Sequence, residues 1–203
     1  MKIALIGATG NVGSRILDEA LRRGHEVTAI ARDISKLAPR PKLERAVGDV
    51  ADAASLAKSL AGNDVVVSSV RFLTPHLANV VTATKAAHVP RLLVVGGAGS
   101  LEVAPGVGLV DTPNFPAAYK AEATAGRDFL VALRRETALD WSFLSPSAFF
   151  HAGERTGKFR LGTDQLLTAS DDKSSISYED YAIALLDEIE APKHPRGRFT
   201  VGY

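Results

Sequence analysis

The sequence predicts an α/β protein, a doubly wound parallel sheet folded as one domain. Three observations carry the prediction. Solid apolar runs alternate with amphipathic helical segments from Lys2 to Leu144. A glycine-rich turn, GATGNVG (Gly7–Gly13), follows the first apolar run directly. At 203 residues the chain is long enough for one full core and too short for two. Strands that are apolar throughout, rather than alternating, belong in a parallel sheet covered on both faces.

Taken in order, Lys2–Gly7 (KIALIG) reads as a buried strand. Val12, Ile16, Leu17, Ala20 and Leu21 then recur at helical spacing, and Gly24 is a stop signal. Glu26–Ala31 is a second strand, Leu43–Gly48 a third, and Asp52–Ala61 a helix. Asp64–Val70 is a fourth strand, His76–His88 a helix, and Arg91–Gly96 a fifth strand. Gly97–Pro116, rich in glycine and proline, reads as a loop; Ala117–Arg135 is a long helix and Asp140–Leu144 a sixth strand. Right-handed crossovers give the strand order 3-2-1-4-5-6. Beyond Pro146 the rhythm breaks into loops and short strand-like pieces, a helix over Ser177–Glu190 and a last strand over Arg198–Tyr203. Residues 146–203 are too few for a second domain and are expected to cap the carboxyl ends of the strands, where such sheets bind ligands.

Composition narrows the function. Lysine and arginine total 24 against 23 acidic residues, with no basic run, which argues against a nucleic-acid surface. There is no cysteine, which excludes disulfides, thiolate metal sites and a thiol nucleophile. No apolar run approaches membrane length, and the first strand begins at once, so a cytoplasmic protein is expected. The histidines show no ligand spacing with carboxylates, so no metal site is expected. Asp18-Glu19, Asp171-Asp172 and Glu188/Glu190 read as solvated faces or helix ends.

The glycine turn carries the first chemistry. Gly7 permits a tight turn, Gly10 lets backbone approach a pyrophosphate, and Gly13 lets helix and strand pack closely. Thr9 and Asn11 add donors beside the free N–H groups of the helix start, with Val12 next in line. At the end of the second strand stands Arg32, with Lys36 four residues on. A guanidinium suits a 2′-phosphate, so NADPH is favoured, while Asp33 leaves NADH open. Asp49 and Val50, after the third strand, are placed to line the adenine.

These residues resemble the atypical short-chain dehydrogenase/reductase superfamily: GATGNVGS, the arginine after the second strand, GDV after the third and VVVSSV in the fourth. The later segments SPSAFFHAGERTGKFRLGTDQLL, SSISYEDYAIALLDEIE and RFTVGY resemble the bacterial NADH-flavin reductase group. That group is related to the flavin reductase/biliverdin reductase B family and, more distantly, to NmrA-like proteins. The resemblance runs end to end and implies a single-domain NAD(P)-binding Rossmann fold and a nicotinamide-dependent reductase. It also implies that Val70, Arg71, Gly96, Gly97 and Pro146 line the nicotinamide half of the cofactor.

One departure from the superfamily bears on mechanism. Alcohol-oxidising members use Tyr-x-x-x-Lys, in which the phenol shuttles a proton and the lysine lowers its pKa. Here Lys120 is preceded four residues earlier by Pro116, and Tyr119 is its immediate neighbour. The usual dyad is absent, which suits a flavin or quinone acceptor reduced by direct hydride transfer. Ser100 stands near the serine that the related reductases place after the fifth strand, with a loop serine as the plainer reading. Phe149 and Phe150 are candidates to stack on an acceptor or to pack in the core. His151 is a candidate donor to developing negative charge, and Arg155 a group that closes over the ligand or a surface ion pair.

The expected activity is therefore NADPH-dependent reduction of a flat acceptor, with flavin as a substrate rather than a resident group. Two alternatives stand beside it. One is an NmrA-like dinucleotide-binding regulator without turnover. The other is a carbonyl or imine reductase in which Tyr119 or His151 supplies the proton. A monomer or a homodimer is expected.

Overall fold

The computed structural model describes residues 1–203. Its strands are β1 (Lys2–Ile6), β2 (Glu26–Ala31), β3 (Leu43–Val47), β4 (Val65–Ser68), β5 (Arg91–Val95), β6 (Glu102–Ala104), β7 (Val107–Gly108), β8 (Asp140–Pro146), β9 (Phe149–His151), β10 (Arg160–Gly162), β11 (Ser175–Ser177) and β12 (Gly197–Gly202). Its helices are α1 (Asn11–Arg22), α2 (Ala53–Leu60), α3 (Asn79–Ala86), α4 (Ala117–Leu133) and α5 (Tyr178–Glu190). Eight strands form the central sheet in the order β10-β12-β8-β5-β4-β1-β2-β3. All pair in parallel except the edge strand β10, which runs antiparallel to β12. The expected order 3-2-1-4-5-6 is therefore present, extended by two strands from the tail.

Alternation along each strand explains the two layers of helices. Ile3 and Leu5 of β1 face α1 and α5, joining Ile16, Leu17, Tyr181 and Leu185 in one core. Ala4 and Ile6 face the other way, joining Leu56, Leu60, Val80, Leu130 and Phe143 beneath α2, α3 and α4. Both faces are covered, which is why these strands carry no polar alternation. Burial of each large aliphatic or aromatic side chain contributes about 1.5–3 kcal/mol.

Turn chemistry fixes the boundaries. Asp52 caps α2 by accepting from the Ser55 N–H, and Ser177 caps α5 by accepting from Asp180. Gly24, at φ +83°, ends α1 in the left-handed region.

Three expectations are corrected. Gly97–Pro116 is not a plain loop: it holds the β6–β7 hairpin and a 3₁₀ turn over Leu109–Asp111, elements too short to show a period. The tail is not wholly a cap either. β12 pairs with β8 and α5 packs on α1, so half of it lengthens the sheet and covers its face. Apart from the edge strand β10, residues 147–175 lie outside those layers, with β9 paired in parallel to β11. Finally, Glu19 is not solvated. It is 4% exposed and accepts hydrogen bonds from Arg22, Arg23 and Arg155.

Candidate functional site

Two adjoining cavities lie along the carboxyl ends of the parallel strands. The first, about 230 Å³, is lined by the residues that follow β1, β2, β3 and β4 in turn: Gly7, Thr9 and Gly10; Arg32; Gly48, Asp49 and Val50; Ser69, Val70, Arg71 and Thr74. Its floor requires glycine. Gly7 has φ +85°, and a Cβ there would sit 2.4 Å from the Ser69 carbonyl oxygen. A Cβ on Gly13 would lie 2.1 Å from the Gly7 carbonyl oxygen, which explains the close approach of α1 to the turn. Gly10 is exposed on the cavity wall.

Just past Gly10, where the lining of this cavity ends, the start of α1 carries unused donors. No side chain caps it, and the N–H groups of Asn11, Val12 and Gly13 find no acceptor within the chain. Unpaired helix-start amides and the helix dipole together make an anion site. Arg32 is exposed on the rim and pairs with no carboxylate. Asp33 is turned away: its carboxylate accepts from the Ser35 N–H at 2.9 Å and the Ser35 hydroxyl at 2.6 Å, and these bonds hold its carboxyl below the usual range. One oxygen of Asp49 accepts from the Ala51 N–H at 2.9 Å, leaving the other free. Lys36 is exposed at the end of the 3₁₀ turn Ile34–Lys36, outside the cavity lining.

The second cavity, about 620 Å³, is built from the Gly96–Gly99 backbone after β5, the connection Leu109–Pro116, one face of α4, the turn between β8 and β9, and Phe72. Five aromatic rings line it: Phe72, Phe115, Tyr119, Phe149 and Phe150. Phe149 is 64% exposed and stacks on His151 at 4.5 Å, whereas Phe150 is half-buried against Tyr178 and Tyr181. Glycine is again needed where backbone must stay close: a Cβ on Gly96 would meet the Phe143 ring at 2.4 Å. At Gly97 the nearest atom would be 3.7 Å away, so space remains over that peptide.

The predicted site residues divide between these cavities and elsewhere. Gly96, Gly97 and Pro146 line the second cavity as expected of the nicotinamide half, together with Tyr119, Phe149 and Phe150. Val70 and Arg71 do not; they line the first cavity, because the chain turns there immediately after β4. Ser100 lies outside both linings, its hydroxyl 3.5 Å from Arg198, which is itself tied to Asp164. His151 is also outside the lining, with Nδ1 2.8 Å from the Ala152 carbonyl oxygen. Arg155 is an ion-pair partner of Glu19, with Nε 2.9 Å from Oε2. Burial raises the Glu19 carboxyl, but the bonds from Arg22, Arg155 and Arg23 outweigh it and hold the group well below the usual range.

Reading the sequence missed Glu122, Phe72 and Phe115, all in the second lining. Only Glu122 left a signal, three residues beyond Tyr119 and so on the same face of a helix. Lys120 is not available to lower a phenol's pKa, because its Nζ donates to the Val110 carbonyl oxygen at 2.9 Å. Tyr181 is no proton donor either: it is fully buried, which raises its pKa, and it donates to the Leu144 carbonyl oxygen at 2.7 Å.

A family model for NAD(P)H-binding proteins matches residues 7–192, from the glycine turn to just past the end of α5. The chain belongs to the NAD(P)H-binding family. It is 43% identical to protein YwnB of Bacillus subtilis (strain 168), over 99% of this chain and 98% of that one. A Bacteroides thetaiotaomicron protein described as a "putative epimerase" superposes with a TM-score of 0.95 at 40% identity, covering 100% of this chain and 96% of that one. A Streptococcus pneumoniae protein described as a "putative NADH-flavin reductase" gives 0.88 at 37% identity, covering 100% and 99%. With the family comes an oxidoreductase-like role for this NAD(P)H-binding chain. No helix is long and apolar enough to cross a membrane.

Proposed function

We propose that this protein is an NADPH-dependent reductase of flat conjugated acceptors, free flavin or a quinone, which it binds as substrates. The observation that carries the reading is the second cavity: five aromatic rings around partly exposed glycine backbone, with no paired acid and base. A face-stacking pocket of this kind binds an extended ring by area and geometry rather than by hydrogen bonds.

The first cavity suits the adenosine and pyrophosphate part of a dinucleotide. The free N–H groups of Asn11, Val12 and Gly13 would hold the pyrophosphate, with Gly7, Thr9 and Gly10 shaping the approach. Arg32 would take the 2′-phosphate, and Asp49 and Val50 would flank the adenine. Gly96, Gly97 and Pro146 would line the nicotinamide end. Bound NADPH supplies a hydride from C4 of its nicotinamide. The protein's part is to bring two flat rings together and to limit water between them, which Phe149 and Tyr119 at the mouth would do.

The test is loss of nicotinamide absorbance with NADPH and riboflavin, FMN or menadione in turn. Turnover with at least one acceptor is expected. Tight NADPH binding without turnover on any of them would replace the reductase reading by that of a dinucleotide-binding regulator. The phenol of Tyr119 in the lining favours a second reading, a carbonyl or imine reductase, and the "epimerase" description of the Bacteroides protein belongs beside it. Tyr119→Phe separates the two: proton-dependent carbonyl chemistry needs the hydroxyl, and hydride transfer to a flavin does not.

A further inference from the structure

We propose that Glu122 is a positioning residue that couples the two cavities. Its carboxylate clamps the Arg71–Leu73 segment, so that dinucleotide binding on one side orders the acceptor cavity on the other. The inference rests on the two-cavity reading above.

The segment after β4 has no regular structure until α3 begins. Val70, Arg71 and Thr74 face the first cavity, whereas Phe72 faces the second. One short stretch of chain is thus a wall of both. Its polar attachment is confined to one side chain. Oε1 of Glu122 accepts from the Phe72 N–H at 2.6 Å and Oε2 from the Leu73 N–H at 3.2 Å. The Arg71 guanidinium lies 3.7 Å from Oε2. No other hydrogen bond joins residues 70–75 to another element.

Packing sets how the clamp acts. The Phe72 ring stacks on Phe143 at 5.9 Å and lies at the same distance from Phe129. A Cβ on Gly126, one turn of α4 past Glu122, would come within 2.8 Å of that ring. The clamp therefore seats Phe72 against a surface that tolerates one position. Hydrogen bonds to an ionised carboxylate are the stronger kind, and both oxygens are engaged by amides, so Glu122 is held as an anchor rather than left free as a base. A glutamine in its place accepts at one oxygen only and directs an N–H at the other amide.

Two measurements test this on the full chain. In the ligand-free protein, amide exchange at Phe72 and Leu73 is expected to be slow and to accelerate roughly tenfold or more in Glu122→Gln. The second is linkage, with NADP⁺ and riboflavin as probes and riboflavin fluorescence as the readout. NADP⁺ should raise riboflavin affinity about fivefold in the wild type, and the factor should fall to about one in Glu122→Gln. Glu122→Asp, which keeps the charge on a shorter arm, should give an intermediate factor and serves if the glutamine variant folds poorly. Glu136→Gln, which removes the ion pair with Lys85 away from both cavities, should leave the factor unchanged.

Unchanged amide exchange, or linkage that persists in both Glu122 variants, overturns the proposal. So does riboflavin affinity indifferent to bound NADP⁺ in the wild type. If NADP⁺ or riboflavin fails to bind the wild type at all, the two-cavity reading fails first and the coupling with it. If both bind without linkage, only the coupling fails.

Discussion

The two cavities are neighbours but are built by different rules. The first is made by the sheet itself: each of β1, β2, β3 and β4 ends at the same level, and the turn that follows each supplies part of the wall. The second is made by irregular chain, with Leu109–Pro116, the β8–β9 turn and a face of α4 closing around the Gly96–Gly99 backbone. Hydrogen-bonded strands place the first to within a turn's freedom, whereas the second depends on how side chains pack. A dinucleotide needs the same polar contacts in any such protein, and a rigid frame suits it. Acceptors differ in shape, and loops carried on a scaffold are where shape is varied.

If that division is right, substitutions in the two cavities should fail in different ways. The largest effect is expected at the first. Gly13→Val would drive a side chain into the Gly7 carbonyl, abolishing NADPH binding and costing about 2–4 kcal/mol of stability, read by titration and denaturant unfolding. Arg32→Glu should weaken NADPH roughly 10- to 100-fold and leave NADH little changed, as loss of a charge-assisted phosphate contact requires. In the second cavity, Phe149→Ala should raise the acceptor KM about tenfold by removing a stacking face, without altering the Kd for NADPH. Stability should hold, because that ring is already exposed.

Much of the frame was legible in the sequence because it follows from backbone rules. The ends of β2 fall where the apolar run and its polar flanks place them, and the glycine turn sits where a strand must become a helix. The second cavity was only half legible. Phe149 and Pro146 follow a recognisable strand, but Phe115 and Glu122 acquire meaning only when α4 is docked beside Gly99, whose missing Cβ would lie 2.8 Å from Ala123. Arg155 and Ser100 stayed open between a ligand and a local partner for the converse reason. An arginine or serine near a site in sequence looks the same whether its partner is a ligand or, as here, Glu19 and Arg198.

Smaller effects sharpen the boundary between the site and its supports. Arg155→Ala should leave both KM values unchanged and cost at most about 1 kcal/mol, since that arginine is partly solvated. Glu19→Gln should cost about 1–3 kcal/mol by weakening several charged hydrogen bonds at a buried acceptor. The sign of its pH dependence follows. The folded-state value is depressed, so the stabilisation is complete above the usual glutamate value of about 4.3 and is lost as pH falls toward the folded-state value. Wild type minus Glu19→Gln stability should therefore shrink on acidification below that point. The smallest effect is expected of Tyr119→Phe, which should leave flavin reduction and its pH profile unaltered.

The central claim is that one dinucleotide spans both cavities and presents its reactive end to an open, aromatic-lined space. A crystal structure of the protein soaked with NADPH tests it most directly. The account predicts the pyrophosphate on the amides of Asn11–Gly13, the 2′-phosphate beside Arg32, and the nicotinamide over Gly96 and Gly97 with Phe149 across the remaining gap. A nicotinamide lodged in the first cavity, or a second cavity filled by the cofactor with no room for another ring, would contradict it.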